Sequence, residues 1–316
     1  MNDDWIRRFH PAPDASAQLV CLPHAGGAAS FFYGVAEAMA PNVDVLAVQY
    51  PGRHDRRTEP MIDRLDELAD RVTEALLPSI DRPVALFGHS MGATLAFEVA
   101  NRLVAAGVAP LCLFVSGRGA PSRHRKETRH LLPDDQLIAE IHQVGGTEPA
   151  LLDDDGLLEL VLPVLRNDYR AIETYRHVPG PPLSCPVAAF AGRADPMART
   201  DEVRAWAEHT TGPFDLETFP GGHFYLKEHA ATLCELIERR IASHIAKGDP
   251  TMSQQTVLLT GGPIEDTLRR LPEETDVVKV PVGAGYEHFS HQGGYTTVDD
   301  EELPVYQWVM HTAIAE

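Results

Sequence analysis

Short, nearly unbroken apolar runs alternate with amphipathic stretches along the first 245 or so residues. Residues 19–22 (LVCL), 43–50 (VDVLAVQY), 84–87 (VALF), 111–115 (LCLFV), 187–191 (VAAFA) and 214–219 (FDLETF) read as strands. The first runs into Pro23 and the turn HAGG, and the second is stopped by Pro51-Gly52. Between strands, Leu65, Leu68, Val72, Leu76 and Leu77, and later Leu95, Val99, Leu103 and Val104, recur at close to helical spacing and predict helices over 64–77 and 91–106. Strands apolar on both faces, alternating with helices, predict an α/β unit with a mostly parallel central sheet covered on both sides.

The interval 118–182 breaks this alternation, since it holds no strand pattern. Asp134 or Asp135 is placed to cap a helix that turns Leu137, Ile138, Ile141 and Val144 inward and ends at Gly145-Gly146. A second helix is predicted from Leu157 to about Tyr175, with a kink at Pro163. A helical insertion between two sheet strands predicts a lid. After residue 246 the character changes again. Residues 247–255 read as a polar linker, and 256–260, 277–280, 295–298 and 305–310 as short strands, with a short helix around 263–271. The expected organisation is a large unit over 1–246, with its lid over 118–182, and a small, mainly-β accessory domain over 256–316.

Composition narrows the function. With 27 Lys plus Arg against 46 Asp plus Glu, the 316-residue chain carries a net charge of −19. That argues against nucleic acid or an anionic membrane as its main partner, though a local basic patch remains allowed. Cys21, Cys112, Cys185 and Cys234 lie far apart, without C-x-x-C spacing, which predicts reduced thiols and no zinc ribbon. The N-terminus, MNDDWIRRFHPAP, lacks an apolar signal-peptide core, and no run reaches the roughly 18 apolar residues of a membrane span. A soluble, cytoplasmic protein is expected.

The sharpest chemical signal is Gly88-His89-Ser90-Met91-Gly92, between the strand VALF and the helix MGATLAFEVA. A turn this tight excludes side chains at its flanks, and it projects the Ser90 hydroxyl from the carboxyl edge of the sheet. The Met91 N–H points into the same space from the first turn of a helix. A serine hydroxyl needs a base, and the base needs a carboxylate to orient it. On such a turn the partners follow in the order Ser, acid, His. Asp195 in GRADP follows the strand VAAFA directly, whereas Asp201 and Asp215 lie nearby without doing so; His223 in PGGHF follows the strand DLETF. Ser90, Asp195 and His223 are therefore the expected catalytic set. His24 is assigned a structural part, because His223 already supplies the base.

These pieces also carry a family likeness. The loop Pro23-His24-Ala25-Gly26-Gly27 resembles the glycine-rich loop that completes the oxyanion hole in esterase-type hydrolases, and the likeness assigns the Ala25 N–H as the donor beside that of Met91. LPHAGG, QYPGR, FGHSMGA, SGRGAP, GRADP and FPGGHFYL occur in order, and LVLPVLRNDYRAIETY lies in the lid interval. Over about residues 18–245 the chain resembles the type II, or external, thioesterases of polyketide and nonribosomal peptide synthases. The resemblance implies an α/β-hydrolase fold with a mobile lid. It also implies hydrolysis of acyl groups from the phosphopantetheine arm of an acyl or peptidyl carrier protein, with no cofactor. A carboxylesterase acting on free esters and a non-catalytic carrier-binding or assembly protein are the alternative readings.

Arg118, Arg123, Arg125, Lys126 and Arg129 cluster at the start of the lid interval. Carrier proteins of this kind are implied to be acidic, so the cluster is a candidate docking patch; a solvated loop is the competing reading. The tail resembles small stand-alone proteins of unknown function through LLTGGP, YEHF and ELPVYQW, and an interaction module is expected there. His288 and His291 are close together, but two histidines with no cysteine beyond Cys234 make an incomplete metal site, and no metal is expected.

Overall fold

The computed structural model describes residues 4–123, 125–145, 155–246, 254–262, 267–272, 277–282, 285–298 and 301–313. The chain divides into two units, Met1–Asn101 with Pro110–Ser243 and Arg102–Ala109 with His244–Glu316.

In the first unit, seven strands form one sheet: β1 (Ile6–Arg7), β2 (Ala17–Leu22), β3 (Val43–Val48), β4 (Val84–His89), β5 (Leu113–Ser116), β6 (Val187–Gly192) and β7 (Phe214–Phe219). Their order across the sheet is β1-β3-β2-β4-β5-β6-β7. All neighbours are parallel except β1 on β3, where Ile6 faces Val48. Every residue of β2 through β6 is buried, including the polar Gln18 and Asp44, which is why these strands read as nearly continuous apolar runs. β7, at the edge, exposes Asp215 and Glu217 in strict alternation with its less exposed neighbours.

Helix α2 (Leu65–Leu76) buries Leu65, Leu68, Ala69, Val72 and Leu76 along one side. Helix α3 (Met91–Ala105) is buried nearly all round near its start, through Met91, Ala93, Leu95 and Ala96. The two-residue β1, helix α1 (Tyr33–Met39) and the helices Tyr225–Glu228 and Ala230–Ala246 are additions to the elements expected from periodicity.

The lid interval contains helix α4 (Asp134–Val144) and a long helix, Asp155–Thr174, which carries Pro163 within it. Leu137, Ile141, Leu162 and Leu165 of these two helices form a small core of their own. Neither aspartate caps α4. Pro133 occupies the cap position without a side-chain hydrogen bond, and Asp134 and Asp135 sit in the first turn, where the helix dipole favours them. The helix ends at Gly145, whose φ of 70° suits glycine. Gly146 lies outside the described residues.

The second unit contains β8 (Gln254–Thr260), β9 (Thr267–Pro272), β10 (Val277–Val282), β11 (Gly285–Val298) and β12 (Glu301–Ala313), in the order β10-β11-β12-β8-β9. The pairs are antiparallel except β12 on β8. Val257, Leu259, Val278, Val280, Phe289 and Tyr306 form its core. The helix expected around 263–271 is not there. Residues 267–272 are strand, paired in register with β8 through Leu258 and Leu268; 263–266 lie outside the described residues. Pairing with a neighbouring strand has overridden the local helical pattern. Of the expected linker, Gln254 and Gln255 belong to β8, and 247–253 lie outside the described residues.

Candidate active site

The carboxyl ends of the parallel strands gather the site on one edge of the sheet. At the turn from β4 to α3, Ser90 has a φ of 55°, a left-handed conformation that a residue with a Cβ adopts at a cost. Its two glycines are obligatory. A Cβ on Gly88 would lie 1.9 Å from the Gly92 carbonyl oxygen, and one on Gly92 would lie 2.1 Å from that of Leu22. The Ser90 N–H donates to Ser116 O at 2.8 Å, tying the elbow to β5.

The loops after β6 and β7 are built against each other. Ala194 N–H donates to Gly221 O at 2.9 Å, and a Cβ on Gly192 would lie 2.2 Å from Gly222 O. This close approach brings Asp195 and His223 together, with His223 Nδ1 2.9 Å from Asp195 Oδ2. The other carboxylate oxygen accepts the Met197 N–H at 2.7 Å. Both residues are buried. Nδ1–H held on a carboxylate leaves Nε2 as the basic nitrogen.

Ser90 and His223 line one cavity of about 580 Å³, counting its open mouth, together with Ala25, Phe224 and the lid residues Leu165 and Tyr169. Its lid side is apolar and its sheet side carries the polar groups, the usual division in a ligand pocket. In the loop after β2, the Gly26 N–H is taken by Asp168 at 2.8 Å and the Gly27 N–H by His24 O at 2.9 Å. The Ala25 N–H has no partner among the described residues. Met91 begins α3, where the first amides have no carbonyl within the helix to bond.

Two further histidines back the site. His89 is fully buried, 4.9 Å from the His223 ring, with Nδ1 2.9 Å from Ser116 Oγ; that hydroxyl in turn lies 2.7 Å from Tyr225 OH. The His24 ring sits edge-on to Phe31 and Phe224, and its Nδ1 is buried without a hydrogen bond. Burial pushes both imidazoles down, His24 to about 3, and the nearby His223 adds to the effect. Both are neutral in the folded protein, but unfolding lets them take up protons below the ordinary imidazole value of about 6.5. Their contribution to stability is complete above that value and is lost as pH falls below it, for His24 down to about 3. The urea midpoint is therefore expected to drop steadily between pH 7 and pH 4, with a shallower slope for His24→Gln. Identical slopes for the two proteins would contradict this.

Arg53 and Asp168, not among the residues expected at the site, form a buried ion pair through contacts of 2.7 and 2.8 Å, and Asp168 also accepts the Gly26 N–H of the cavity wall. A signal was present. Asp168 falls on the helix face of Leu165 and Ile172, where an unpaired carboxylate would be costly.

The basic cluster is largely neutralised, and Arg125 and Arg129 reach Met197, which lines the cavity. Arg118 pairs with Glu127, Arg123 with Glu208 and Arg125 with Glu202, while Arg129 meets Glu127 at 3.0 Å and Glu140 at 3.2 Å. Lys126 is exposed. Among the described residues no group of three or more His, Cys, Asp or Glu could hold a metal ion, and no helix is long and apolar enough to cross a membrane.

Residues 17–241 match the thioesterase domain family, and residues 251–316 match a family of unknown function (DUF5988). The chain is similar to the thioesterase PikA5 of Streptomyces venezuelae, at 49% identity over 248 residues that span 78% of this chain and 88% of that protein. Among solved structures it resembles the type II thioesterase BorB from the borrelidin biosynthetic cluster, at 52% identity and a TM-score of 0.72, covering 76% of this chain and 99% of that one. It also resembles the RedJ thioesterase from the prodiginine pathway of Streptomyces coelicolor, at 40% identity and a TM-score of 0.69, covering 73% of this chain and 88% of that one.

Proposed function

The chain belongs to the thioesterase family, and from that premise we propose that it releases acyl groups from the phosphopantetheine arm of acyl or peptidyl carrier proteins in polyketide or nonribosomal peptide synthesis. The observation that carries this reading is the Ser90 elbow opening into the same cavity as an imidazole already oriented by Asp195, beneath an apolar lid suited to an acyl chain. In the proposed reaction Ser90 Oγ attacks the thioester carbonyl while His223 Nε2 takes its proton. The Ala25 and Met91 N–H groups hold the oxyanion. The tetrahedral species collapses, the C–S bond breaks, and the imidazolium returns its proton to the leaving thiolate. Water, deprotonated by the same nitrogen, then attacks the acyl-serine ester; the acid is freed and Ser90 regains its proton. Asp195 keeps the Nδ1 tautomer and stabilises the imidazolium. A cytoplasmic setting is part of the proposal, supported by four free, buried cysteines.

Carrier docking at Arg118, Arg123, Arg125, Lys126 and Arg129 is the finer part of the proposal. Because the arginines are paired with carboxylates, exposed Lys126 is the group to test. Mass spectrometry of a panel of acyl-carrier proteins is expected to show release of free acid, with simple carboxylic esters turned over more slowly. Preference for the esters would favour a carboxylesterase instead. In the same panel Lys126→Glu should raise KM several-fold for carrier-bound substrate while leaving a small free thioester untouched, as removal of a rim charge does. An equal effect on both substrates would remove the docking idea.

A further inference from the structure

We infer that Asp168 of the lid helix and Arg53 of the loop after β3 are positioning residues for the oxyanion loop, so that seating the lid and completing the oxyanion hole are one event. The inference rests on the assignment of the Ala25 N–H as a donor to the oxyanion. The loop is gripped on both sides of that amide. Asp168 Oδ2 accepts the Gly26 N–H at 2.8 Å and Arg53 Nη1 at 2.7 Å, while Oδ1 accepts Arg53 Nη2 at 2.8 Å and Asn167 Nδ2 at 3.3 Å. Arg53 Nη1 also donates to Gly27 O at 2.9 Å. The guanidinium lies 5.1 Å from the Tyr50 ring centroid, and Tyr50 OH donates to Pro23 O at 3.1 Å.

These contacts fix the peptide planes around Ala25. The Gly26 N–H is turned onto the carboxylate and away from the reaction, which leaves the Ala25 N–H as the loop's donor. Gly26 itself has a φ of 76°, and a Cβ there would lie 3.0 Å from Leu165 Cδ1 on the same lid helix. Backbone and lid therefore meet at the residue next to the donor. The ion pair joins positions 115 residues apart, and both side chains are buried. A pair of apolar residues would hold two elements together as firmly, without the desolvation of two charges. A bidentate pair adds direction, because its fork fixes the orientation of whatever else the carboxylate binds. Leu165 and Tyr169, which flank Asp168, line the cavity. An acyl chain packed against them acts on the helix that holds Gly26, and a lid that lifts Asp168 away releases the loop.

The test uses the full-length chain with two probes, a short-chain acyl N-acetylcysteamine thioester and an aryl phosphonate that labels the active serine. Asp168→Asn keeps the shape but removes the charge, Arg53→Lys keeps the charge but removes the fork, and the double variant Arg53→Met with Asp168→Leu removes both charges together. For Asp168→Asn we expect kcat lower by about 10- to 100-fold with KM within about threefold, short of the ~10²–10³ for outright loss of a donor. Phosphonate labelling should slow by a similar factor, and Arg53→Lys should fall between this variant and the wild type. The double variant tests the inference even if Asp168→Asn fails to fold: with its two charges gone it should melt near the wild type and remain slow. A double variant with wild-type kcat overturns the proposal, as does a change confined to KM or to melting temperature. A wild type that labels with phosphonate yet leaves thioesters intact would instead overturn the thioesterase reading, and the relative labelling rates would still decide the positioning role.

Discussion

Replacing Ser90 by Ala is expected to lower kcat for a carrier-bound thioester by about 10⁴–10⁶ while the fold stays intact. The reason lies in the division of labour at the site. His223 can deprotonate a nucleophile only if one is there, and the residual rate then comes from binding and the oxyanion amides alone. Because the groups act as a unit, Ser90→Ala combined with His223→Ala should lose little more than Ser90→Ala alone. Ala keeps a Cβ in the left-handed conformation of residue 90, so circular dichroism and melting should match the wild type. Ser90→Gly makes a sharper comparison. Glycine adopts a φ of 55° without strain, so this variant should be equally inactive yet more stable by about 1 kcal/mol. Activity and stability moving in opposite directions would locate the strain at the nucleophile. Steady-state rates, phosphonate labelling and urea melts of the three proteins check it; turnover by Ser90→Ala within tenfold of wild type would place the nucleophile elsewhere.

Much of this site was legible in the residue order, for a definite reason. The central strands are buried on both faces, so each appears as a nearly unbroken apolar run, and the residues after each run must lie at the sheet's carboxyl edge. Ser90, Asp195 and His223 could each be placed by that rule without knowing any distance. The glycines at 88 and 92 were legible because their requirement is steric and local. Interactions between distant positions were not. Asp168 is one acidic residue on an amphipathic helix until Arg53, 115 residues away, is placed beside it. The cluster from Arg118 to Arg129 reads as a basic patch because Glu202 and Glu208, which neutralise Arg125 and Arg123, lie about 80 positions later. Residues 267–272 fail for the same reason, since their helical pattern is local and the strand β8 that captures them is not.

Asp195→Asn should be the most damaging conservative change at the site, with a loss in kcat of about 10⁴ at neutral pH. The carboxylate has two jobs that an amide cannot do together. One oxygen accepts the Met197 N–H at 2.7 Å, and the other faces His223 Nδ1 at 2.9 Å. Asn offers one acceptor and one donor. If its oxygen stays on Met197, its NH₂ points at Nδ1, which must then accept; the imidazole proton moves to Nε2, the nitrogen needed as a base. If the amide flips, its NH₂ opposes the Met197 N–H in a buried site, and two donors are left facing each other. Met197 therefore selects the orientation that enforces the wrong tautomer. Asp195→Ala deletes the orienting group without imposing a tautomer, so Asn should be at least as slow as Ala despite its closer shape. The comparison needs kcat for both variants at one pH and a melting curve for each. Retention of more than a tenth of wild-type kcat by Asp195→Asn would mean that His223 takes its orientation from another group, with the His89–Ser116–Tyr225 chain behind it the next place to look.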